Sequence, residues 1–201
     1  MEDSISDMEQ RLAHRLKALR LERGLTLEAL AQRSGVSRSM ISLIERGESS
    51  PTAQVLDRLA TSFGIALATL FIEEPRAGAS PLARRADQPE WRDPATGYVR
   101  RVLSPPDVAV PFTLVEITLP AGARVTYDND PGNVIAEEQI WLLDGQLELT
   151  AGTKTHRLQS GDCLVLRVDG PNAFHNPGRE AARYLLAVTA RGRNANGRDM
   201  A

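Results

Sequence analysis

The chain has 201 residues, 42% hydrophobic and 25% charged, with a formal net charge of −2. That profile fits an ordinary folded protein with room for about two compact units, and it excludes a fibrous, collagen-like or wholly disordered chain. No run approaches the ~20 apolar residues of a membrane-spanning helix, and the acidic start MEDSISDMEQ lacks the basic-then-apolar profile of a secretion signal, so a cytoplasmic protein with no membrane partner is expected.

The charge is uneven along the chain. From Arg11 to Phe71 nine bases face five acids, a formal +4, which leaves −6 for the remainder. Only the first part suits a polyanion. One cysteine, Cys163, rules out an intrachain disulfide and a cysteine-based zinc site, and a lone thiol in an apolar strand is expected to be buried.

In chain order, Leu12, Leu16 and Leu19 form a helical stripe that ends before Gly24, and Leu27, Leu30 and Ala31 form a second that ends before Gly35. Ser37 is placed to cap a third helix with Ile41 and Ile44 inward, and Ser50 before Pro51 to cap a fourth carrying Val55, Leu56, Leu59 and Phe63. IALATLF supplies a final turn or short helix. The prolines at 75, 81, 89 and 94 then interrupt a polar run in which Trp91 is the only aromatic residue, read as a linker over 73–97. Beyond it the period changes to that of strands: FTLVEITL, EEQIWLLDGQLELTAG, THRLQSGDCLVLRV and ARYLLAVTA, with turn signals at Asp144-Gly145, Gly152, Ser160-Gly161 and Asn176-Pro177-Gly178. An antiparallel sandwich or barrel is expected over 98–190, and a loose tail over 191–201.

Two helices joined by a short turn, the second able to enter a major groove, make a helix-turn-helix. LTLEALAQRSGVSRSMISLIERGESSP fits that pattern, with Gly35 at the turn and Ser37, Arg38, Ser39 and Ser42 left outside the apolar face. The chain from about Leu16 to Phe71 resembles the phage-repressor-like (XRE) helix-turn-helix family, most closely over SGVSRSMISLIERGESSPT. The resemblance implies a five-helix, all-α DNA-binding domain over 8–72 in which Arg38, Ser39 and Ser42 face base edges and Thr26, Ser37, Arg46 and Ser49 lie near phosphates. It also implies an Arg20–Glu45 ion pair between the first and third helices, and a homodimer on paired operator half-sites of double-stranded DNA. The plainer alternatives are that Arg38 is a solvated arginine and Ser37 only a helix cap.

The strands resemble the small cupin barrel, a double-stranded β-helix or jelly roll, and the whole chain resembles a class of bacterial repressors that place it behind XRE helices. Gly122, Glu138, Gly145, Gly161 and Asn176 match the cupin motifs, but the three histidine positions hold Asp128, Asp130 and Asn172. Without imidazoles, iron, nickel or zinc is not expected, and an all-oxygen set would suit magnesium or calcium if anything. No metal, cofactor or catalytic residue is therefore assigned. The barrel is expected either to sense a small-molecule effector, at Tyr127, Asp128, Glu138, Arg167 and Asn172, or to serve only dimerisation, and Asp128 and Asp130 also read as solvated loop residues. The competing reading is a metal-dependent oxygenase or epoxidase that carries the helices. His175 should face away from Asn172 and Phe174, and Trp141 should serve packing or a dimer contact. If Glu138 shares the inner face with Ile140 and Leu142, it needs a partner, from Arg124, Arg167, Tyr127, an ion or a ligand.

Overall fold

The computed structural model describes residues 2–65, 67–71, 77–129 and 136–189. Asp130 and the tail over 191–201 lie outside the described residues. Helices α1 (Glu2–Glu22), α2 (Leu27–Ser34), α3 (Arg38–Glu45) and α4 (Ala53–Ser62) come first, followed by a 3-10 turn at Leu67–Phe71 where a fifth helix is expected. The predicted stripes are buried: Leu12, Leu16 and Leu19 from α1 meet Leu30, Ile41, Ile44, Leu56 and Leu59. Three hydroxyls set where helices begin. Thr26 accepts from the Ala29 amide at 3.1 Å, Ser37 from Met40 at 3.2 Å and Thr52 from Val55 at 3.3 Å. The fourth helix therefore starts two residues later than the Ser50-Pro51 signal suggests. Gly35, at φ 66°, ends α2 in the left-handed conformation that a side chain would resist.

The Arg20–Glu45 pair forms as the resemblance implies. Arg20 Nε and Nη2 reach the two Glu45 carboxylate oxygens at 2.7 and 2.8 Å, and Nη1 donates to the Leu25 carbonyl at 2.9 Å. The side chains are only 11% and 6% exposed, so the pair is desolvated and fixes α3 against α1.

Among the described residues ten strands follow, β1 (Glu90–Arg92), β2 (Val99–Val102), β3 (Phe112–Leu119), β4 (Arg124–Tyr127), β5 (Ala136–Asp144), β6 (Gln146–Ala151), β7 (Lys154–Gln159), β8 (Cys163–Val168), β9 (Asn172–His175) and β10 (Ala182–Thr189). They form two antiparallel sheets, one in the order β1-β2-β3-β10-β5-β8 and one in the order β4-β9-β6-β7. This is the expected two-sheet barrel. Register aligns one inner row across the first sheet, Thr113, Val188, Glu138 and Leu166, and another, Arg100, Ile117, Tyr184 and Leu142. Asp144-Gly145 is not a hairpin turn. There the chain leaves one sheet for the other, with Gly145 at φ 85°, and a Cβ at that residue would lie 2.9 Å from Ala182 Cα. Asn176, wholly buried, ties the far end: its amide donates to the carbonyls of Leu119, Pro120 and Glu180 at 2.8–3.1 Å.

The stretch expected as linker, 73–97, contains β1, and this corrects the boundary. Three residues are too few to show a strand period, yet Trp91 is 1% exposed and sits between Phe71 and Tyr98, with ring centroids 5.7 and 5.6 Å away. Asp93, also buried, accepts from the Ala53 amide at the start of α4 at 3.1 Å and from Ala95 and Thr96 in its own turn. Helices and barrel thus share one apolar core and are pinned at α4.

Candidate functional site

Two surfaces carry polar groups with work left to do. The first is the outer face of α3. Arg38, Ser39 and Met40 are exposed and Ser42 is half-buried, while Ile41 and Ile44 hold the inner face, so the helix presents the residues expected to meet base edges. The Ser37 hydroxyl is fixed by its cap and lies 3.2 Å from the Ser39 hydroxyl. Arg38 makes no side-chain hydrogen bond or ion pair among the described residues, which leaves its guanidinium available. Arg46 is engaged: it pairs with Glu48 at 2.7 and 2.8 Å and donates to Ser42. Both partners are about half exposed, so the pair is weak enough for a phosphate to replace the carboxylate. Thr26 is exposed at the start of α2, and Ser49 donates to the Met40 sulfur at 3.8 Å.

The second surface is a cavity at the mouth of the barrel. Barrel residues Arg100, Ile117, Tyr127, Asn129, Glu138, Asn172, Phe174 and Tyr184 line it together with Asp57 of α4 and Leu67 and Ala68 of the 3-10 turn. The helices therefore close the barrel. About 40 Å³ is open to the centres of water molecules, space for a few waters or a ligand of a handful of heavy atoms.

Of the five expected ligand contacts, the structure brings Tyr127, Glu138 and Asn172 to the cavity and turns two away. Arg167 lies between the inward Leu166 and Val168, so strand alternation exposes it, and it pairs with Asp169 at 3.5 Å. Asp128 follows the inward Tyr127 and points at Arg58, 3.3 Å away. His175 faces away, as alternation requires, and lies 3.2 Å from Glu148 on the neighbouring strand; that contact and Arg157 hold the Glu148 carboxyl below its ordinary range. Trp141 is half exposed on the outer face, and Cys163, expected to be buried, is exposed in the edge strand β8. Arg124, a candidate partner for Glu138, sits on an exposed position opposite His175.

Sequence reasoning missed Asp57 and Arg100. Glu138 does share the inner face with Ile140 and Leu142, and the cation near it is Arg100, which acts through its field without a hydrogen bond. Burial pushes the Glu138 carboxyl up, Arg100 pulls it back and Asp57 raises it further. Asp57, 2% exposed, accepts from the Asp128 amide at 2.9 Å. Loss of solvent moves its pKa up to about 6, partly countered by the backbone amides of Asp128 and Asn129 and by Arg58. Arg100, 4% exposed, lies over the Phe71 ring at 5.0 Å, with Nε and Nη2 unpartnered; Asn172 Oδ1, in a residue 7% exposed, is unpartnered as well.

A carboxyl that, like that of Asp57, holds its proton more tightly folded than unfolded contributes stability that is fully present below its unfolded pKa and is lost as pH rises through about 6. Between pH 5 and pH 7 the loss at this one group is about 1 kcal/mol. Asp57→Asn keeps an acceptor for the Asp128 amide and should remove this slope in urea unfolding at the two pH values; an unchanged slope contradicts the assignment.

Among the described residues no three His, Cys, Asp or Glu side chains converge as metal ligands. The cavity offers carboxylate and amide oxygens beside a guanidinium and no imidazole, a donor set that does not fit a transition metal. No helix is long and apolar enough to cross a membrane.

Comparison with known proteins agrees with this geometry. A helix-turn-helix family model matches residues 16–70. The chain is 30% identical over 174 residues to the HTH-type transcriptional regulator SutR of Escherichia coli strain K12, covering 86% of this chain and 91% of that protein. It is 25% identical over 183 residues to the HTH-type transcriptional regulator PuuR of the same strain, covering 87% and 92%. The crystal structure of an HTH_3 family transcriptional regulator from Vibrio cholerae superposes with a TM-score of 0.68 and 28% identity over 92% of this chain and 97% of that one.

Proposed function

The chain belongs to the XRE family of helix-turn-helix transcriptional regulators, with a two-sheet barrel behind the DNA-binding helices, and from that premise we propose that the barrel is of the cupin type, how the chain reads an operator and what its barrel answers to. The exposed face of α3 enters the major groove. Arg38 donates two hydrogen bonds to a guanine, and Ser39 and Ser42 contact adjacent base edges. Thr26, Ser37, Arg46 and Ser49 hold phosphates and set the register, Arg46 by exchanging Glu48 for a phosphate oxygen. Paired half-sites require two copies, and the exposed Trp141 and Val165 on the outer face of the first sheet are where a second copy would bury apolar surface.

The observation that carries this reading is the unengaged guanidinium of Arg38 on the free face of a capped helix. Arg38→Ala should weaken binding to the specific operator by about 10- to 100-fold, the worth of one bidentate base contact, while non-specific binding at the same salt changes little. Equal loss on operator and unrelated duplex would make Arg38 a phosphate contact instead.

The barrel senses a small effector in the cavity that α4 closes. Because Asp57 belongs to the helical domain and Glu138 to the barrel, an occupant that favours one docking of the two changes the presentation of α3 by its differential affinity for that docking. What weighs against an oxygenase or epoxidase is the donor set, so no reaction step is assigned.

A further inference from the structure

Among the described residues, two side chains that line the cavity, Arg100 and Asn172, hold buried polar atoms with no hydrogen-bond partner. Arg100 is buried, and its unpartnered Nε and Nη2 are the two donors of one guanidinium edge. The face of Phe71 lies 5.0 Å from its guanidinium and holds the plane without using a hydrogen. Asn172, whose buried Oδ1 is unpartnered, lines the same cavity, and Glu138 makes no side-chain hydrogen bond among the described residues. Buried donors without acceptors are rare and costly, and a charged one is the most costly.

Each simple occupant satisfies only part of this. The Nε–Nη2 edge matches the two oxygens of a carboxylate, spaced for parallel hydrogen bonds. A plain anion would face the carboxyls of Asp57 and Glu138 in the same cavity and be repelled by them. A plain cation would suit those carboxyls and the Asn172 oxygen, yet it would be repelled by Arg100 and leave its donors unused. A molecule bearing both charges meets all of them, and the space open to it admits only a handful of heavy atoms.

We propose that the cavity takes a small zwitterion of the amino-acid class, its carboxylate on the Nε–Nη2 edge of Arg100 and its ammonium facing Asp57, Glu138 and Asn172 Oδ1. This rests on the reading of the barrel as an effector site and names the effector's chemistry. The ammonium contacts come from both domains, Asp57 from α4 and Glu138 from β5, so the occupant bridges the joint that positions the DNA-binding helices. The Asp93 bond to the Ala53 amide fixes one end of α4, and the bridge acts on its middle.

The test uses the full chain and glycine, L-alanine, L-serine and β-alanine as probes, with methylamine and acetate as the separated halves. At saturating concentration at least one amino acid raises the melting temperature by about 5 °C, and neither half does so at the same concentration. Arg100→Lys, which keeps the charge and loses the two-donor edge, and Asp57→Asn each weaken that binding at least about 10-fold by calorimetry. Methylamine or acetate binding as tightly as its amino acid, unchanged binding by Arg100→Lys, or no binding by any probe overturns the zwitterion assignment. Operator titrations on the same samples separate the two levels. If one half alone shifts operator affinity, the ligand class is wrong and the sensor reading stands; if an amino acid binds and operator affinity does not move, the site is right and the sensor reading fails.

Discussion

Glu45→Ala is expected to destabilise the protein by about 3–5 kcal/mol, lowering its melting temperature by roughly 10 °C, because it strands a buried arginine rather than because the ion pair is itself strong. Arg20 is left with the Leu25 carbonyl alone, and both Nε and Nη2 lose their acceptors in a site that water barely reaches. The comparison that isolates the cause is the double replacement Arg20→Met with Glu45→Leu. Apolar side chains of similar volume need no partner there, so most of the lost stability should return. If the double variant is no more stable than the single one, the pair contributes through geometry that apolar packing cannot supply. Because the pair joins α1 to α3, loss of operator binding should accompany the loss of stability in Glu45→Ala.

Trp91→Ala is expected to cost about 3–5 kcal/mol, the range for removing a buried aromatic side chain. The ring fills the space between Phe71, the last residue of the 3-10 turn, and Tyr98, which leads into β2, and α1 packs against β1. Its loss leaves the helices tied to the barrel mainly by Asp93 and by the contacts of Asp57 and Arg58 with Asp128. Unfolding that is a single transition in the parent chain should therefore split in two, the helices and barrel melting separately. A cost below about 1 kcal/mol with one transition retained would mean that the aromatic cluster does not join the two halves.

How far the sequence could be read depended on whether a residue's role followed from a local period. The outer face of α3 was legible because the inward residues Ile41 and Ile44 dictate what the helix leaves outside, and Ser37 marks where it begins. Glu138 was legible for the same reason, since β5 alternates and Ile140 and Leu142 define the inner face. Arg167 was placed wrongly although the same rule applies: Leu166 and Val168 claim the inner face of β8, so the residue between them must point out. Asp57 could not be found this way. It sits among Leu56, Leu59 and Ala60, where a single acid reads as a solvated position, and its partners are the backbone amides of Asp128 and Asn129, about seventy residues away. Arg100 was hidden by the proline-rich run before it, because a three-residue strand shows no period and the following strand has only four residues. Both omissions concern contacts between the halves, which no local pattern reports.

The most direct test of the account is a fluorescence-anisotropy titration of the full chain against an operator obtained by in vitro selection, beside an unrelated duplex of equal length at the same salt concentration. A sequence-reading α3 predicts operator binding tighter by about 10³-fold or more. Equal affinity for the two duplexes would contradict it, leaving a basic helical domain that holds DNA only by its phosphates.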